Sequence, residues 1–78
     1  MEVMKGLTYK HFKGHIVKVL DIAEHTETGE QLVVYQHKGT NVIWARPYDM
    51  FISKVDKKKY PDVEQEYRFQ LMKEDVSK

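Results

Sequence analysis

The chain has 78 residues, 41% hydrophobic and 32% charged, with a net charge of +1 at pH 7. That supplies one compact core and leaves nothing for a second domain, so residues 1–78 read as a single domain with its core at about 7–72. Without cysteine there are no disulfides, no thiolate chemistry and none of the commonest structural zinc sites, and the near-neutral balance gives no global field for nucleic acid or an anionic membrane.

In residues 1–6 there is no apolar run long enough for a signal peptide, and no later stretch approaches a membrane span, so the expectation is a cytoplasmic protein with no membrane partner. Residues 8–13 alternate, with Tyr9 and His11 on one side of an extended segment and Lys10 and Phe12 on the other. Lys13-Gly14 reads as a turn. Residues 15–24 are rich in β-branched side chains, but the apolar phase shifts from Val17 and Val19 to Leu20 and Ile22, which predicts a bulge or bend near Val19. His25-Thr26-Glu27-Thr28-Gly29-Glu30 is a predicted hairpin tip, with Gly29 supplying a positive φ.

Leu32-Val33-Val34-Tyr35 is apolar on both faces and suits a central strand. After a turn at residues 37–41, residues 42–46 form a strand with Val42, Trp44 and Arg46 on one face and Ile43 and Ala45 on the other. Pro47 ends that strand and opens one helical turn, from which Met50 and Phe51 fold back onto the core. An extended path over residues 52–55 leads into residues 56–66, too polar for a core and read as an exposed loop. Tyr67, Phe69 and Leu71 alternate with Arg68, Gln70 and Met72 in a last strand, and residues 73–78 are a frayed tail. The fold class is mainly β: a small, strongly bent antiparallel sheet, or an SH3-like open barrel, of five to six strands with one short helical turn.

Tyr9-Lys10-His11-Phe12-Lys13-Gly14, His25-Thr26-Glu27-Thr28, Val33-Val34-Tyr35 and Trp44-Ala45-Arg46-Pro47 with Met50-Phe51 follow one another in an order that resembles the bacterial domain-of-unknown-function family 1653. Lys59-Tyr60-Pro61-Asp62-Val63 and Tyr67-Arg68-Phe69 are similar to a longer variant of it. The resemblance implies a compact β domain in the bacterial cytoplasm and brings no established activity. Asp21 and the turn at residues 37–41 depart from the family's pattern.

Seven residues form the candidate ligand site: Tyr9, His11, His25, Glu27, Tyr35, Trp44 and Arg46. Tyr9 and His11, like Trp44 and Arg46, stand two apart, so each pair shares one face of its strand. Together they suit a small anion, a peptide terminus or a nucleotide, with Arg46 gripping a carboxylate or phosphate and Trp44 and Tyr35 stacking. The opposing reading is packing: Trp44 in the core, Arg46 paired with Glu27 or Asp49, and His11 bonded to backbone.

His11, His15, His25 and His37 match no zinc spacing, so neither a metal nor another cofactor is expected. His25 beside Glu27 has the form of a base held by a carboxylate, but neither Ser53 nor Ser77 lies in a nucleophile motif, which argues against an enzyme. The preferred function is a non-enzymatic module that binds a peptide or small anionic ligand. One alternative is single-stranded nucleic acid held by Lys10, Lys13, Lys57, Lys58 and Lys59 among Tyr9, Phe12 and Tyr60. Another is a purely structural role, in which an exposed strand edge or aromatic patch makes a homodimer.

Overall fold

The computed structural model describes residues 2–72, so the tail expected at 73–78 lies outside the described residues. Five strands, β1 (Thr8–His11), β2 (Ile16–Glu24), β3 (Gln31–His37), β4 (Ile43–Pro47) and β5 (Phe69–Leu71), surround one helical turn, α1 (Tyr48–Phe51). All pair antiparallel in one sheet of order β4-β3-β2-β1-β5. The sheet is open, since β4 and β5 are its two edges. Residues 52–55 contribute only the isolated bridge Lys54 to Tyr67, so a sixth strand is reduced to one rung. No helix among the described residues is long and apolar enough to cross a membrane.

The predicted bulge is Leu20. Val19 pairs with Tyr35 and Asp21 with Val34, so β2 advances two residues while β3 advances one. The extra residue bends the strand and increases its twist. Curling shows in the side chains: β3 and β5 would lie about 14 Å apart in a flat sheet of this order, yet the rings of Tyr35 and Phe69 are 5.7 Å apart.

The concave face holds the core. Tyr9, Val17, Val19, Val33, Tyr35 and Phe69 line it, and α1 closes it by inserting Phe51, whose ring stacks on Phe69 at 4.0 Å. Pro47 starts that turn with φ −52°, as expected of a residue whose ring fixes φ. Met50 does not join the core: it is 48% exposed, because one helical turn presents only one side and Phe51 takes it. The N-terminal segment covers the remaining side, with the Val3 amide donating to the Tyr48 hydroxyl and the Met4 amide to the Tyr9 hydroxyl.

Residues 56–66 are an ordered loop. Amides of Lys59 and Tyr60 donate to the Asp56 carbonyl, and the Gln65 side chain donates to the carbonyls of Lys10, Tyr67 and Arg68. These bonds satisfy backbone acceptors beside the β1 and β5 edge and fix where Tyr60 lies.

Candidate functional site

The concave face divides along the strands. Its middle is buried under α1, and its end, at the turns joining β1 to β2 and β3 to β4, is open. Side-chain alternation carries residues of the core register past the edge of the covered region: His11 follows Tyr9, His37 follows Tyr35, and Trp44 stands opposite Tyr35. His15 lies across the turn from His11, its carbonyl accepting from the His11 amide. The rings adjoin in sequence. Trp44 is 4.4 Å from His37, His37 is 5.3 Å from His15, and His15 is 5.9 Å from His11. His11 stacks on Phe12 at 4.5 Å, and Phe12 meets Tyr60 edge-on at 5.0 Å. Phe12 therefore joins the face of His11 rather than the opposite one, because β1 ends at His11 and the chain turns there.

Positive charge is placed among these rings. The chain has two arginines, Arg46 and Arg68, and among the described residues each is held through Nε. Arg46 Nε donates to the Tyr35 hydroxyl at 3.1 Å, and Arg68 Nε donates to Ser53 Oγ at 3.1 Å. Neither has a carboxylate within salt-bridge range among the described residues, where the ion pairs are Lys5 with Asp21 and Lys54 with Glu66. Arg46 lies over the Phe69 ring at 5.6 Å, and Lys13 and Lys59 lie over Tyr60 at 5.4 and 5.6 Å. Between the arginines is His11, whose pKa is lowered to about 4, by burial first and then by Arg46, His15, Arg68 and Lys13. Its Nδ1 accepts the Lys13 amide at 3.1 Å. At neutral pH the imidazole is uncharged and the guanidinium Nη groups are the donors left for an anion.

The sequence-derived residues part company here. Tyr9 and Tyr35 are core, 1% and 2% exposed, and only the Tyr35 hydroxyl serves the site, by orienting Arg46. Trp44 is 47% exposed on an edge strand, so it is not the core residue of the packing reading, and Arg46 pairs with neither Glu27 nor Asp49. His25 and Glu27 do not reach the site, because β3 runs from their hairpin to the opposite end of the sheet. His25 Nδ1 instead accepts the amides of Glu27 and Thr28, which makes it a cap of its own turn.

Of the lysines, Lys13 and Lys59 join the rings. Lys10 is an exposed residue of the other face, paired with Ile16 and Gln70, and Lys57 Nζ is spent on the carbonyls of Val63 and Gln65. Lys58 is exposed, with its amide held by Asp56 Oδ1. The residues sequence reasoning passed over are His15, His37 and Arg68. Pairing across the Lys13-Gly14 turn was the signal for His15. Arg68 has none, since a long loop delivers it.

Among the described residues no group of three or more histidine or acidic side chains is arranged to hold a metal ion. What the arrangement offers is ring surface and guanidinium donors for a planar or anionic group, while Ser53 Oγ, which accepts from Arg68, donates to the Met50 carbonyl. Neither a curated protein nor a solved structure matches the chain. A family model described as "Protein of unknown function (DUF1653)" matches residues 7–71. With most of its length covered, the chain belongs to that family.

Proposed function

We propose that this domain is a bacterial cytoplasmic binding module, not an enzyme, whose open concave end takes a small anionic ligand or the anionic group of a longer one. One observation carries the reading. His11 packs on Phe69, over which Arg46 lies, and it lines one depression with Arg68 and Asp56; each arginine is anchored through Nε by a neutral hydroxyl, and neither is in a salt bridge among the described residues. A guanidinium held through Nε can still turn its Nη groups to an anion and give it paired hydrogen bonds.

The test is a titration of the isotope-labelled chain with tripolyphosphate, followed by amide resonances. Saturable shifts confined to residues 11–15, 37, 46 and 68 are expected. Arg46→Lys and Arg68→Lys should each weaken binding about tenfold, the worth of a bond to a charged group, with the fold retained. Shifts that scatter over the surface or fail to saturate would sink the reading.

A second reading has its own observation: β4 is an edge strand that exposes Ile43, with Val42 exposed just before it. Such an edge pairs readily with a second copy of the chain. Sedimentation across a wide concentration range checks it, and a monomer throughout rejects it.

A further inference from the structure

We infer that the ligand of this face is single-stranded nucleic acid, its bases stacking along the rings and its phosphates held by the cations between them; this rests on the anion site proposed above. The surface is a row of flat rings, Trp44, His37, His15, His11, Phe12 and Tyr60, with neighbouring centroids 4.4–5.9 Å apart. A peptide groove offers pockets to alternate side chains; a run of rings offers π-faces, which every base can use. The cations are interleaved with the rings rather than set apart. Lys13 lies over both Phe12 and Tyr60 and Lys59 over Tyr60, while Arg46 lies over Phe69, the core ring on which His11 packs.

Net charge conceals how the charges are distributed. Glu24, Glu27 and Glu30 cluster at the hairpin between β2 and β3, and Asp49 shares a surface depression with Glu30. At the opposite end stand Lys13, Lys38, Lys59 and Arg68. The loop that brings Lys59 and Tyr60 also carries acids: Asp56 is engaged with the amides of Lys58 and Lys59, Glu66 with Lys54, and Asp62 and Glu64 are exposed beyond Tyr60. A chain of net +1 therefore presents a locally cationic, ring-lined end. A duplex keeps its bases stacked on one another and leaves the rings unused, so the proposed partner is single-stranded.

The experiment measures anisotropy of a labelled single-stranded RNA of about 10 nucleotides, within the site sizes of small single-strand-binding domains, with the whole chain. A duplex of the same length, polyglutamate and tripolyphosphate serve as competitors. Trp44, the single tryptophan, reports stacking by fluorescence quenching. Expected are saturable binding, quenching, a duplex at least tenfold weaker, and affinity falling with salt by a slope of about −0.7 per phosphate engaged. Trp44→Leu and Tyr60→Leu should each cost about tenfold in the anisotropy assay, the order of one base stack, and Lys18→Gln, on the other face, should cost nothing. Binding of the strand no tighter than tripolyphosphate, or equal displacement by polyglutamate or duplex, overturns the inference and leaves the anion site standing. Failure of tripolyphosphate and strand alike removes both.

Discussion

His11 is surrounded by positive groups from three directions: Arg46 on β4, Arg68 just before β5, and Lys13 and His15 in the turn between β1 and β2. Burial is the larger cause of its lowered pKa, and these neighbours add to it. The folded chain therefore releases the His11 proton near pH 4, whereas the unfolded chain holds it up to about 6.5. Between those values the unfolded state binds more protons, so this contribution to stability is complete above pH 6.5 and declines as pH falls towards 4. His11→Gln should flatten that segment of a plot of urea midpoint against pH, and an unchanged slope contradicts the burial of His11. Phe69 is a simpler case, a fully buried ring stacked between strand and helical turn. Phe69→Ala should cost about 3–5 kcal/mol, enough to leave a chain of this size largely unfolded by circular dichroism. The pairing of Tyr9 with His11 and of Trp44 with Arg46 is legible from a period of two. Which of them is covered is not, because that depends on where α1 lays Phe51 over the sheet.

Among the elements, β2 and its hairpin were the most legible. The phase shift at Leu20 appears in the order of apolar residues, and Gly29 has the positive φ, 77°, that the tip requires. An added Cβ at Gly29 meets nothing within 4 Å, so Gly29→Ala should cost only the backbone term, roughly 1–2 kcal/mol, read as a lower urea midpoint. The loop at residues 56–66 was the least legible. Its composition is that of a solvated connection, and nothing local announces that Gln65 bonds the Lys10 carbonyl on β1 as well as those of Tyr67 and Arg68, or that Tyr60 reaches Phe12. Gln65→Ala removes those bonds and should speed trypsin cleavage at Lys57, Lys58 and Lys59 several-fold. An unchanged cleavage rate would mean that the loop is held by other contacts. Likewise, extended residues at 52–55 promise a strand, but they lack a neighbour beyond Tyr67 and keep one bridge.

At the scale of the whole molecule, one curled sheet does two jobs because it is covered over only part of its length. Phe51, Phe69 and the valines of β2 and β3 make the core, and the same register continued beyond α1 carries His11, His37 and Trp44 to the open end, while Arg46 lies over Phe69 and Arg68 is brought in by the loop. The fold class follows from short apolar strands and tight turns. The site does not, since its members come from five separate segments and meet only through curvature. The most direct measurement is the titration of the His11 ring by NMR with and without tripolyphosphate. A bound anion favours the protonated imidazole, so the His11 pKa should rise from about 4 towards its ordinary value, and the rise should vanish in the Arg46→Lys, Arg68→Lys double variant. The same pKa with and without tripolyphosphate would contradict an anion site between the two arginines.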